Sequence, residues 1–233
     1  MKKMSIYILA IFLAAGIFIL AGCSSGTEGG GGTLSNIVDG TVVDTQNYSI
    51  SGINCTLTSA LGGTQTTVSD SNGNFSFSNV GEGDYNVLCD QAGYITSRYH
   101  INVTANGANY RGTTNVKMVV LTPSEFDSFA GADHLYDYNL GYIMPLVVNS
   151  SGQEMAGVSF YSQPGAMATG YVGAGIDWNA TSTFANQGRA LLEVAPGPSY
   201  SVTASMSGTS FNPESIDITP QQGELTLIQF QAQ

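Results

Sequence analysis

An all-β fold made of two tandem sandwiches is what this sequence predicts, on three observations. Short runs alternate apolar and polar residues, Gly-rich turns separate the runs, and one half of the chain repeats the other. Alternation of period two places every second side chain on one face of a half-buried strand, as in Ile53-Cys55-Leu57, Phe75-Phe77, Tyr85-Val87-Cys89, Val116-Met118-Val120 and Tyr200-Val202-Ala204. Turn signals at roughly ten-residue spacing favour a sandwich over a parallel sheet. The repeat is read by shifting the chain on itself. At an offset of 105, Ile37 to Ser59 lies on Tyr142 to Pro164; at 115, Gly73 to Gly93 lies on Gly188 to Gly208. The difference is a ten-residue insertion between Pro164 and Asn186, expected as a long loop holding Gly170, Gly173, Gly175 and the only tryptophan, Trp178.

Composition narrows the partners. The 233 residues carry 6 basic and 17 acidic side chains, a formal charge of −11, and only 10% of residues are charged. An acidic, weakly charged chain is a poor ligand for nucleic acid. A single lysine, Lys117, follows the N-terminal pair Lys2 and Lys3, which leaves no polybasic membrane patch.

The elements follow in order. Lys2 and Lys3 precede an apolar stretch from Met4 to Leu20 and then Leu20-Ala21-Gly22-Cys23, the form of an export signal over residues 1–22. An uncleaved membrane anchor is the alternative, because the apolar run approaches the ~18 residues that span a bilayer. The Leu-Ala-Gly-Cys ending resembles the lipobox of bacterial lipoproteins. That resemblance implies cleavage before Cys23 and lipidation of its sulfur and new amino group, with acyl chains such as palmitate holding the protein on a membrane. Several buried chains anchor durably where one is marginal. Ser24 after the cysteine points, by analogy with enterobacterial sorting, to the outer membrane. Residues 23–34 are the lipidated cysteine and a Gly-rich flexible tether. Residues 35–121 form the first sandwich and residues 141–233 the second, divergent one. The connector, 122–140, holds a short helix: Thr122 is its N-cap, Pro123 its first residue, Glu125 completes a capping box and Gly131 stops it.

The first copy reads Asp39-Gly40-Thr41-Val42-Val43-Asp44, Ile50-Ser51-Gly52-Ile53, Asp70-Ser71-Asn72-Gly73-Asn74-Phe75-Ser76-Phe77, Gly83-Asp84-Tyr85 and Ala92-Gly93-Tyr94. This order resembles the carboxypeptidase regulatory-like family. The resemblance implies a prealbumin-like, carbohydrate-binding-like Greek-key sandwich of seven strands, in families where the module is an accessory, adhesive or sugar-binding unit. The second copy departs from the pattern: Pro145 stands at the first-strand glycine, and its turn lacks the Asp-x-Asn-Gly wording.

Cys55 and Cys89 form an even pair in an oxidising compartment, both in phase with the core side of their strands. They correspond in the repeat to Phe160 and Ala204, a large and a small residue, so a disulfide between them is expected. Two buried thiols are the alternative. Catalytic signatures are absent from the sequence: it contains no His-Glu-x-x-His, Gly-x-Ser-x-Gly, phosphate loop or Cys-x-x-Cys. The chain is read as a non-enzyme without a cofactor or metal. Asp70-Ser71-Asn72-Gly73-Asn74 resembles the start of a calcium loop, but without a distal Glu or flanking helices it reads as a hairpin turn. Asp127, Asp133, His134 and Asp137 are a solvated connector cluster in preference to cation ligands. The expected role is structural or adhesive, toward another envelope protein. The alternative is a polysaccharide bound on flat aromatic faces, for which Tyr94, Tyr99, Tyr110, Tyr171 and Trp178 are the candidates, in competition with core packing.

Overall fold

The computed structural model describes residues 36–44, 47–104, 107–109 and 115–233; the export segment, Cys23, the tether and Tyr110 lie outside these residues. The chain runs β1 (Asn36–Val43), β2 (Asn54–Ser59), β3 (Thr64–Val68), β4 (Asn74–Val80), β5 (Gly83–Asp90), β6 (Thr96–Thr104), β7 (Gly107–Asn109) and β8 (Asn115–Val119). Helix α1 (Pro123–Ala130) follows, then β9 (Gly141–Val148), β10 (Ser159–Gln163), β11 (Ala168–Val172), β12 (Ile176–Asp177), β13 (Ala190–Val194) and β14 (Tyr200–Ser205). The last strands are β15 (Phe211–Asn212), β16 (Ser215–Ile218) and β17 (Glu224–Ala232).

Each copy is a sandwich, and the two are laid out alike. In the first, β4-β1-β8 faces β3-β2-β5-β6; in the second, β13-β9-β17 faces β10-β14-β16. The registers repeat at equivalent positions, apart from a shift at the start of β1. Val38 lies opposite Phe77 as Ile143 lies opposite Leu192, and Cys55 opposite Cys89 as Phe160 opposite Ala204. A buried hydroxyl clasp recurs as well. Ser69 Oγ donates to Ile50 O (2.9 Å) and accepts from Ile53 N–H (2.9 Å); Thr183 Oγ1 donates to Met155 O (2.8 Å) and accepts from Val158 N–H (3.0 Å). Each hydroxyl satisfies backbone groups that would otherwise be buried without partners.

The copies are not separate beads. β6 of the first pairs in parallel with β17 of the second, Glu224 to Leu227 against Thr96 to Tyr99, and one 11-stranded sheet runs through both sandwiches. The Arg98 guanidinium straddles the Glu224 carboxylate at 2.6 and 2.8 Å, and the Tyr99 hydroxyl meets Gln229 Oε1 at 3.0 Å. Glu224 is buried, so its charge is tolerable only with this bidentate partner.

That junction covers both faces of the second copy's larger sheet. Tyr142, Met144, Leu191, Leu225 and Leu227 enter the first core, while Ile143, Val147, Leu192, Ile228 and Phe230 enter the second. Strands buried on both faces lose alternation and read as continuous apolar runs. The period of two expected throughout both copies therefore fails at β9, β13 and β17.

Helix α1 begins at the Thr122–Glu125 capping box and ends at Gly131. Phe126 is buried against Tyr142, ring centroids 4.7 Å apart, so the connector is fixed to the second copy. The insertion differs from the long loop expected. It forms the β11–β12 hairpin, which extends the sheet beyond β13. Its first strand occupies the chain position of β3 yet joins the opposite sheet, because the extra residues allow the chain to cross the open end of the sandwich.

Gly40 explains the Pro145 departure. A Cβ on Gly40 would overlap the Phe75 ring, which crosses directly over it. In the second copy the repeat places Ala190 at the position of Phe75, which leaves room for Pro145. Overpacking of this kind costs about 1–3 kcal/mol. Gly40→Ala should therefore destabilise the protein by about that amount, and by much less in a Phe75→Ala background; equal costs in both backgrounds, by urea denaturation, would contradict the packing account.

Candidate functional site

The residues singled out for ligand binding do not converge. Tyr171 is 3% exposed, its ring beside Phe160 and its hydroxyl accepting Phe160 N–H at 2.9 Å. Burial pushes its phenol pKa upward. Tyr99 is 5% exposed and turned into the first core, with only its hydroxyl reaching the junction. Tyr99 thus packs in the first core and Tyr171 in the second. Tyr94 is half-buried against the first core. Trp178 is half-buried and fully engaged: its indole N–H donates to Ala130 O at 2.8 Å, capping the last turn of α1, and its ring stacks on His134 at 3.6 Å. A Cβ on Gly170 would come within 2.8 Å of the indole, so the glycine is there to let the ring lie flat on β11. His134 Nδ1 in turn lies 3.1 Å from the buried Glu193.

Trp178, His134 and Glu193 thus pin the inserted hairpin to α1 as a packing cluster. Removing a well-packed Trp side chain costs about 3 kcal/mol. Trp178→Ala should lower the thermal midpoint markedly; unchanged stability with lost glycan-array binding would instead restore Trp178 as a ligand platform.

The cysteines face each other as expected, with the sulfurs 3.0 Å apart in the core. That separation is wider than the ~2.05 Å of a disulfide, so the structure holds a thiol pair where a bond was expected. The hydrogen bond with Cys55, and then burial, raise the Cys89 pKa far above the ordinary thiol range. In the Asp70 turn, the carboxylate accepts the N–H groups of Asn72 and Asn74 at 2.8 Å each, which holds its pKa below the usual carboxylate range. Both bonds fall on Oδ1, which fixes the carboxylate as the hinge of the turn. Among the described residues no group of three His, Cys, Asp or Glu side chains is gathered for a metal. Asp127 accepts from Tyr136 N–H and Asp137 caps Asn139, so the connector carboxylates act as local caps.

A different place draws chemistry together. A cleft of about 210 Å³ opens between the copies along β8, with Lys117 and Val119 on one wall, Met144 and Leu146 on the floor, and the Glu154–Arg189 pair opposite. A second lobe of about 170 Å³ adjoins it and shares Val119, Met144, Glu154 and Arg189. Arg189 is held by Glu154 at 2.9 and 3.1 Å, and the other oxygen of that carboxylate accepts Gly188 N–H at 2.9 Å. Lys117 is exposed and makes none of the ion pairs found among the described residues. Two of the four basic side chains that follow Cys23 therefore line one cleft of an acidic chain. Sequence reading passed over it because its walls come from β8, β9, β17 and two loops of different copies; the only local sign was a solitary lysine.

Residues 37–119 match the family model described as the carboxypeptidase regulatory-like domain. No curated protein matches the chain. Solved structures similar to it include the TIE protein of Bacillus anthracis, at 14% identity and a TM-score of 0.31, covering 86% of this chain and 34% of that one. The chain thus spans about a third of the length of that protein. The minor pilin GBS52 of Streptococcus agalactiae is 11% identical with a TM-score of 0.30, covering 85% of this chain and 95% of that one. The shaft pilin SpaA of Lactobacillus rhamnosus GG is 10% identical with a TM-score of 0.32, covering 85% and 97%. The match to the carboxypeptidase regulatory-like domain model lies within the first sandwich of this all-β chain.

Proposed function

We propose that this is an exported lipoprotein of a bacterial envelope that acts without catalysis, as a structural or adhesive unit binding another envelope protein. Residues 1–22 are its export signal, acyl chains on Cys23 anchor it to a membrane, the outer membrane that Ser24 favours, and the tether holds the folded part off the surface. The observation that supports this reading most directly is the sheet shared by both copies. It buries the apolar faces of two cores against each other and leaves strand edges and loops as the surfaces where a partner is met. The match of the first sandwich to an accessory domain family points the same way. In the oxidising compartment this implies, the facing Cys55 and Cys89 thiols close to a disulfide in the mature protein.

Crosslinking in intact cells, followed by identification of the captured species, tests the role: a protein adduct is expected, and a polysaccharide adduct alone would overturn it. The anchor is tested on the same cells. Cys23→Ala should move the protein from the membrane to the soluble fraction, and mature protein should be lighter than its reduced form by two hydrogen atoms. An unmodified Cys23 on a soluble wild-type chain would remove the anchor.

A further inference from the structure

The 11-stranded sheet ends in β3 on the first copy and in β12 on the second. The two ends are built differently. β12 is two residues long and closes on Asp177, and outer strands of the smaller sheets are guarded too: the register of β4 slips before Val80, with Asn79 at φ 56°, and β16 carries the exposed Asp217. Short length, bulges and charges are the devices that keep sheet edges from pairing. β3 has none of them. Its residues, Thr64-Gln65-Thr66-Thr67-Val68, include no charge and no proline, and all but Thr67 are exposed. The second copy offers no counterpart, because β11, at the same chain position, joins the opposite sheet. The hydrogen-bond phase of β3 is fixed at both ends, where Ser59 N–H donates to Gly63 O at 2.8 Å and Ser69 N–H to Ile53 O at 2.9 Å. Alternation along the antiparallel pair turns Gln65 and Thr67 toward β2 and leaves the backbone N–H and C=O of Thr64, Thr66 and Val68 on the outer edge. None of these groups has a hydrogen-bond partner among the described residues.

We propose that β3 is a self-association edge, on which a second copy of this chain adds antiparallel about a two-fold axis through Thr66. The occupant follows from the register. This axis sets Thr66 opposite its own equivalent and Thr64 opposite Val68, so every outward residue meets an outward residue; an axis elsewhere leaves part of the strand unmatched. Facing threonines are a favourable cross-strand pair. Charge points the same way. In a chain of net charge −11, two copies meet here with no like charges in the strand. The first carboxylate beyond it, Asp70, is held in the turn, and the two copies' Asp70 stand about 26 Å apart at ~3.3 Å per residue, well past the ~8 Å Debye length. Isologous pairing closes at two copies, and the guarded β12 leaves the sheet no matching edge from which to grow into a filament. A five-residue edge is a small contact beside the standard interface of about 1,600 Å², so the dimer belongs to copies held close together, as on the membrane of the reading above. The geometry of the interface does not depend on that reading.

The test oxidises full-length chains carrying an added cysteine in intact cells, with copper phenanthroline, and compares each with the wild-type chain on gels run without reductant. Opposite residues of a hydrogen-bonded pair stand ~5.5 Å apart at Cα, within disulfide reach. Thr66→Cys should therefore give a dimer of the chain, and Leu61→Cys, 99% exposed but off the axis, should not. Thr64→Cys, ~13 Å from its own equivalent, should stay monomeric alone and crosslink when co-expressed with a differently tagged Val68→Cys chain. Adding Thr66→Lys to both chains of that pair sets like charges face to face and should cut the yield about fivefold. These side chains are exposed, and matching thermal midpoints will show that the variants are folded. Absence of a Thr66→Cys dimer, equal yields at positions 61 and 66, an adduct of Thr66→Cys to a different protein in its place, or indifference to Thr66→Lys would overturn the self-pairing. Fractionation of the same cells separates the two readings: the expected pattern on a soluble chain removes the anchor and keeps the interface, while an anchored chain without the pattern removes the interface alone.

Discussion

The parallel pairing of β6 with β17 is the constraint on which the rest of this molecule depends. Sandwiches in tandem ordinarily keep separate cores and meet through small, polar surfaces. Here the edge strand of one copy completes the sheet of the next, and the buried Glu224 demands Arg98 across the join. Breaking such a pair by removing one partner strands a charge in the interior, which is far costlier than never having buried it. The ion pair therefore specifies how the copies meet, and hydrophobic burial from Leu225, Leu227, Tyr142 and Met144 supplies the bulk of the association.

Duplication followed by compensation accounts for the differences between the copies. Where one has a glycine beneath a phenylalanine, the other has a proline beside an alanine; where one has two facing sulfurs, the other has Phe160 opposite Ala204. In both exchanges the two facing positions change together, as a close-packed interior requires. The hydroxyl clasp survives in both because its role is polar: Ser69 and Thr183 close buried backbone groups that no apolar residue can satisfy.

Local patterns made much of this readable. The duplication, the alternation in β2, β4 and β5, and the caps of α1 are written within a few residues of where they act. The doubly covered sheet was legible in principle, since Ile143 to Val148 and Ala190 to Leu192 are unbroken apolar runs, but a period-two template hides them. The Arg98–Glu224 pair had no local sign, its partners lying 126 residues apart. The surroundings of the aromatic candidates were hidden for a different reason. A tyrosine in phase with a strand and one on its surface look alike until register decides, and register gave Tyr171 to the core and Trp178 to the hairpin clamp. The cleft could not be read at all, because no one segment contains it.

Hydrogen exchange followed by mass spectrometry, resolved to the peptides covering β6 and β17, tests the shared sheet most directly. If the copies form one body, the amides of residues 96–99 and 224–227 will exchange only with global unfolding, as slowly as those of the central strands β1 and β9. Rapid exchange along the outer edge of β6, with β1 and β9 still protected, would show two sandwiches that merely share a chain.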